Sequence, residues 1–185
     1  MSIDDTNPDD SSVVTIFWSV AASCALHGFS ATVSGMVLAP GLSERFLIVD
    51  RSAEIQQILA EARTHLTDRT VLVETEPLIG SVEEYVPSRS WSQVLLRDHI
   101  VVDLIADFLD RVEPNLAPEL RPACGSFGPW LGRGTGSRVR WDAVMRHIVA
   151  GQRDKSAESL FARRLVGEVL SVAQRLFARH QALTA

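Results

Sequence analysis

An uncharged stretch near the N-terminus constrains the fold of this chain more than any other feature. No Asp, Glu, Lys or Arg occurs from Ser11 to Ser43, and a stretch of this length can span a bilayer. However, His27, Gly35, Pro40 and many hydroxyl side chains interrupt it, and no Lys or Arg anchors flank it. We therefore expect buried structure in a soluble protein, with a membrane helix as the alternative.

Residue patterns in the first half predict a small mixed β-sheet. Four segments are rich in β-branched residues or alternate between apolar and polar side chains, as strands do: 13–20, 29–37, 45–50 and 70–75. A helical pattern over 52–66 separates the third segment from the fourth. This order predicts one βαβ crossover with parallel strands.

Helical spacing dominates the second half. After a linker at 78–90, it extends over 91–112, 141–151 and 156–180. We predict an α+β fold in which the sheet packs against this C-terminal set of three helices.

The predicted domain organisation is simple. An acidic N-terminal tail (1–12) precedes a single α+β domain (13–185), and that domain has a strand-rich half (13–77) and a helical half (91–185). A chain of 185 residues is long enough to bury one core.

The overall charge and the cysteine content limit the classes of partner and scaffold that we expect. The net charge is −5, so no overall positive field attracts nucleic acid or anionic lipid, and we expect neither as a partner. The acidic start is unlike a signal peptide. Cys24 and Cys124 are far apart and form no CxxC pair, which argues against disulfide and zinc scaffolds. We expect a cytoplasmic protein without a cofactor.

A loop at 124–140, rich in glycine and arginine, is the first candidate site. Glycine backbone amides and arginine guanidiniums bind phosphate or carboxylate, and a predicted helix follows the loop. The candidate anion-binding residues are Arg133, Gly134, Gly136, Arg138 and Arg140. The spacing matches neither a Walker loop nor a dinucleotide fingerprint, so a plain surface loop is the reading we prefer.

Two smaller groups could in principle carry chemistry. A polar cluster of Asp98, His99, Asp103 and His147 contains residue types that bind metals, although a solvated helix edge explains it as well, and we expect no metal. Cys24 and His27 resemble a nucleophile and its base. A thiol in an apolar run has a raised pKa and is inert, so we regard that pair as incidental.

Four carboxylates follow the fourth predicted strand, where α/β enzymes keep catalytic groups. They are Glu74, Glu76, Glu83 and Glu84. An acidic solvated linker accounts for them equally well, and we prefer that interpretation.

One short run resembles a known family. Asp98-His99-Ile-Val-Val-Asp103-Leu is similar to the Asp-His helix motif of the TorD-like chaperones that assemble molybdenum enzymes. The resemblance covers under a tenth of the chain, and Arg97 stands where that motif has a proline. That family is all-helical, whereas strands are predicted here, so we assign the chain to no family.

The absence of a convincing catalytic group favours a binding role. The last helix predicts an apolar side of Phe161, Leu165, Val169, Val172 and Leu176. Such a helix can dock on another chain. We therefore expect a non-enzymatic protein-binding or regulatory protein: an accessory subunit, a chaperone or an immunity-type partner. It would bind another protein, or itself, through the C-terminal helix. The alternative is a small enzyme or ligand-binding domain that holds an anionic substrate with loop 124–140.

Overall fold

The computed structural model describes residues 9–66, 69–112 and 156–180, and the single positions 118, 143, 146 and 150; at 9–12, 102–103 and 105–112 it describes the backbone alone. Every regular element in these ranges is a helix. The elements are α1 (Asp9–Ser34), a 3₁₀ turn (Gly35–Leu38), α2 (Leu42–His65), α3 (Thr70–Tyr85), α4 (Trp91–Val112) and α5 (Ser156–Arg179). The described part is therefore a helical bundle.

The prediction of an α+β fold with a mixed sheet and a βαβ crossover was wrong. Segments 13–20 and 29–37 belong to α1 and its 3₁₀ turn, 45–50 to α2 and 70–75 to α3, so the described ranges contain no strand. The physical reason is burial on every side. All residues from Ile16 to Ser23 are buried, and a helix enclosed all round loses the one-sided pattern that distinguishes it from a buried strand.

Helices with apolar residues three and four positions apart in the sequence were predicted correctly. The helices expected at 91–112 and 156–180 are α4 and α5, and the helix at 52–66 is the C-terminal part of α2. The linker at 78–90 was wrong in its first part, because α3 continues to Tyr85 and includes Pro77.

Helix α1 packs between α2 and α3, and α5 packs against α3 and α4. Gly28 lies beside Ile55, and Trp18 stacks on His65 with ring centroids 4.3 Å apart. These two pairs show that α1 and α2 are antiparallel. At the end of α1 the 3₁₀ turn lies so close to α4 that a Cβ on Gly35 would come within 2.7 Å of a Val94 methyl group.

Of the apolar clusters formed by the described residues, the largest joins α1, α3 and α5. Its buried members are Ile16, Val20, Ile79, Val82, Val86, Phe161, Leu165, Val172 and Leu176. A second cluster, Ala39, Ile48, Trp91, Val94 and Leu95, joins α2 to α4 around the 3₁₀ turn. The apolar side of α5 is therefore part of the core of this chain.

Among the described residues, one segment is long and apolar enough to cross a membrane. It is Val13–Leu38, with a mean hydropathy of 1.5, and 56% of its most apolar window is buried inside the bundle. By length and composition alone this is weak evidence for a membrane span, because the core helix of a soluble protein has the same properties.

Candidate protein-interaction surface

Helix α2 carries apolar side chains on two opposite faces. Ile48, Ile55 and Ile58 are buried, as expected for positions three and four apart on one face. Leu42, Phe46 and Val49 are 70%, 61% and 52% exposed. With the exposed Ala53 they repeat the same spacing on the opposite side. We call Leu42, Phe46, Val49 and Ala53 the outer stripe.

A charged residue lies on the inward face of the same helix. Arg51 falls between Ile48 and Ile55 and is 1% exposed. Its Nε donates to Asp98 Oδ1 on α4 at 3.1 Å, and its Nη1 donates to Glu54 Oε2 at 3.1 Å. Burial lowers the pKa of the Arg51 guanidinium, but Asp98 and Glu54 raise it by more, so it lies above its usual value.

Arg97, which precedes Asp98 on α4, makes a second charge contact, and this one is partly buried. Arg97 Nη1 donates to Glu83 Oε2 at 2.7 Å, and its Nε donates to Ser88 Oγ at 2.9 Å. Its guanidinium also lies over the Phe161 ring, 5.9 Å from the centroid. Burial lowers the pKa of Arg97, and Glu83 partly offsets that effect. An arginine remains protonated in this setting.

We call these two groups, Arg51 with Asp98 and Glu54, and Arg97 with Glu83, the charge network; the arginines and Asp98 are buried, and the side chains of Glu54 and Glu83 are 25% and 41% exposed. Because taking charges out of water is costly, such pairs contribute little net stability, yet removing one partner is strongly destabilising. Asp98 Oδ2 and Arg97 Nη2 are buried without a hydrogen-bond partner in the described part. The network therefore fixes how α2, α3 and α4 pack, and with it the direction in which the outer stripe points.

A polar seam joins α1 to α3. The hydroxyls of Ser23 and Thr75 lie 3.0 Å apart, and His27 Nε2 lies 3.1 Å from Glu76 Oε1. Cys24 packs beside this seam against the largest apolar cluster, and burial raises the pKa of its thiol from 9.0 to about 12. The raised pKa agrees with the unreactive thiol that the sequence predicts, and His27 contacts Glu76; that Cys24 and His27 form no nucleophile–base pair stays a prediction.

Of the predicted polar cluster, only Asp98 and His99 have described side chains, so the cluster stays a prediction. Asp98 faces Arg51 on α2, and His99, the next residue, is turned by about 100° around α4 and is half-buried. Asp103 belongs to α4, with its side chain outside the description, and His147 lies outside the described residues. Within the described ranges no three His, Cys, Asp or Glu side chains converge as metal ligands would.

The candidate anion site cannot be compared with the structure. Arg133, Gly134, Gly136, Arg138 and Arg140 all lie outside the described residues, so anion binding by loop 124–140 stays a prediction. The four carboxylates are on α3 and its C-terminal end instead of after a strand. Glu74 and Glu84 are exposed, while Glu76 and Glu83 contact His27 and Arg97.

Sequence reasoning missed Arg51 and the outer stripe, because it assigned 45–50 to a strand and began the helix at 52. A signal was present. Ile48, Arg51, Ile55, Ile58 and Ala62 follow one another at intervals of three and four, which puts an arginine on an apolar helix face and demands a buried acidic partner. Extending the helix toward its N-terminus also reveals the second apolar face.

Comparison with known proteins assigns no family. No protein-family model matches the chain, and no curated protein matches it. Because the described residues contain helices and no strand, one argument against the resemblance of Asp98-His99 to the TorD-like chaperones falls away. Arg97 in place of the proline still departs from that motif, and no family model supports membership.

Proposed function

We propose that this protein is a non-enzymatic binding protein that docks on another protein chain through the outer stripe of α2. The observation that carries the proposal is the exposure of Leu42, Phe46 and Val49 on a helix whose opposite face is already core. Single exposed apolar residues are ordinary, but an aligned set on one helix face is typical of a docking surface.

The packing of α5 supports this choice of surface. The apolar side of α5 is used within the chain, where Phe161, Leu165, Val172 and Leu176 are buried. Docking through the outer face of α5, which includes Leu160 and Leu170, stays a second possibility. There Arg163 and Arg164 are exposed between these two leucines, which makes that face more polar than the outer stripe.

We also propose that the protein works in the cytoplasm. The middle of α1 is enclosed by protein, with Trp18, Ser19 and Ser23 each fully buried. A helix that is apolar all round suits the core of a soluble bundle as well as it suits a bilayer. The hydrogen bonds from α1 to Thr75 and Glu76 support the core role.

Site-specific photocrosslinking in the producing cell tests the docking proposal. A photoreactive phenylalanine analogue replaces Phe46, and in a matched control it replaces Gln174, which is exposed on α5. We expect a covalent adduct of discrete mass at position 46 alone, lost when Leu42→Ser and Val49→Ser are added, with the partner identified by mass spectrometry. An adduct at 174 alone, or none above background, contradicts the proposal.

A further inference from the structure

The exposed face of α2 extends beyond the outer stripe. Gln56, Ala60 and Arg63 follow Ala53 at intervals of three, four and three residues, and all of them are exposed. The face therefore continues into the last turn of α2. Alternating intervals of three and four are those of the core positions in a two-stranded coiled coil. The occupant that fits such a face is a helix, and the charged residues beside the face indicate which kind of helix.

On one flank of the outer stripe, the carboxylates of α2 are engaged within the chain. Glu54 Oε2 accepts a hydrogen bond from Arg51 at 3.1 Å, and Glu61 Oε1 lies 3.5 Å from His65 Nε2. Asp50 also has an interaction inside the chain. Helical periodicity places these three carboxylates on the same flank. That flank therefore offers a partner little negative charge that is not already used.

The opposite flank carries two cations without a partner. Arg45 and Arg63 are exposed and lie about five turns apart, which puts them in one row along α2. Neither guanidinium has a hydrogen bond or an ion pair with the residues that the structure describes. Glu44, beside Arg45, is half-buried and falls on the core side of α2 by helical periodicity. Arg45 is also in the first turn, where the helix dipole disfavours a cation. The uncompensated charge beside the outer stripe is therefore positive.

We infer that the partner of the outer stripe is an amphipathic helix of a different protein that carries Asp or Glu beside its apolar side chains. Its apolar side chains pack on Leu42, Phe46 and Val49, and its carboxylates accept hydrogen bonds from Arg45 and Arg63. Because like charges repel at an interface, the two arginines select an acidic helix over a basic one. A second copy of α2 matches less well, because its flanking carboxylates are already engaged. This inference rests on the proposed function and specifies its partner.

Charge reversal combined with photocrosslinking from position 46 tests the role of the arginines. We expect Arg45→Glu with Arg63→Glu to lower the yield of the adduct about tenfold or more. The matched control is Arg89→Glu with Arg179→Glu, which reverses two exposed arginines outside α2 and leaves the yield unchanged. Circular dichroism of every variant checks that the helix content is retained. Equal yields from the two double variants contradict the inference.

Mass spectrometry of the wild-type adduct tests the chemistry of the partner. We expect the crosslinked peptide to come from a helical segment of another protein that contains more Asp and Glu than Lys and Arg. A neutral or basic segment, or a peptide of this chain itself, overturns the inference and leaves the proposed function standing. The absence of an adduct above background at position 46 removes both.

An anionic lipid surface is the other source of negative charge beside apolar groups. Flotation of the purified full chain with phosphatidylglycerol vesicles, and with phosphatidylcholine vesicles as the control, separates it from a protein helix. We expect the chain to stay unbound to both. Binding to phosphatidylglycerol alone, lost in Arg45→Glu with Arg63→Glu, would assign this surface to a membrane and overturn the inference.

Discussion

Helices α1 and α2 are neighbours that use their sequences in opposite ways. From Ser11 to its end at Ser34, α1 has no charged residue, and its middle is buried on every side. Helix α2 is rich in charge, yet it places Arg51 inside and Phe46 outside. Burial alone accounts for the sequence of α1. It does not account for the sequence of α2, which has a charged residue on its buried face and apolar residues on its exposed face.

The difference extends to the polar groups that each helix buries. Helix α1 buries small neutral hydroxyls, such as that of Ser23 against Thr75, which are inexpensive to desolvate once they are paired. Helix α2 buries a full charge against Asp98. Turning α2 by half a turn would bury Phe46 but separate Arg51 from Asp98. The ion pair and the buried isoleucines of α2 therefore favour the same orientation, in which the outer stripe faces solvent.

The most severe test of this contrast removes the buried charge of α2. Arg51→Met leaves Asp98 buried without its cation, and we expect the free energy of unfolding to fall by about 3–5 kcal/mol. Urea denaturation measures it. The matched control is Arg51→Met with Asp98→Leu, which removes both charges and recovers most of the loss. If the free energy of unfolding of Arg51→Met lies within about 1 kcal/mol of the wild-type value, this account of the Arg51–Asp98 pair is refuted.

The next largest effect is expected when a buried side chain of α2 is truncated and compared with an exposed one. Ile55 is 3% exposed, and Ile55→Ala leaves a cavity that lowers the free energy of unfolding by about 2–5 kcal/mol. Val49→Ala, on the outer stripe, changes it by no more than about 0.5 kcal/mol. Both are measured on the purified chain without its partner. Equal losses would mean that Val49 belongs to the core of the monomer.

The same contrast explains which parts of the fold the sequence predicts. Apolar residues in α4 and α5 recur three and four positions apart, so both helices could be predicted from the sequence. The segment that forms α1 was predicted as strand because it is apolar on every side of the helix and so lacks a spacing of three and four. Its β propensity is too weak to decide between strand and helix. For 45–50, Phe46 and Val49 lie opposite Ile48, so apolar residues on both faces imitate a buried strand.

The candidate surface was less predictable than the fold. Sequence reasoning anticipated docking by an apolar helix face, and it chose α5 because that face is continuous. Whether such a face is free depends on what packs against it, and α3 and α4 cover the apolar side of α5. The partnership of Arg51 with Asp98 spans 47 positions. No local pattern specifies a contact between residues so far apart.

A smaller effect is expected where α1 passes into α2. A Cβ on Gly35 would approach a Val94 methyl group to 2.7 Å, and Val94 is buried, so Gly35→Ala lowers the free energy of unfolding by about 1–3 kcal/mol. The control is Gly167→Ala on α5, where the space is open. There alanine stabilises the helix by up to about 1 kcal/mol. Thermal unfolding of the two variants should move in opposite directions.

The smallest effect concerns the two neutral hydroxyls of the polar seam, Ser23 and Thr75. Thr75→Val leaves the buried Ser23 hydroxyl without Thr75, and we expect a loss of about 1–2 kcal/mol in the free energy of unfolding, measured in urea. Adding Ser23→Ala removes the stranded hydroxyl and restores part of the loss. Because both groups are neutral, Thr75→Val should cost clearly less than Arg51→Met. If the two single variants cost the same, charge is not what separates the α1–α3 contact from the α2–α4 contact, and the orientation of α2 must depend on its isoleucines.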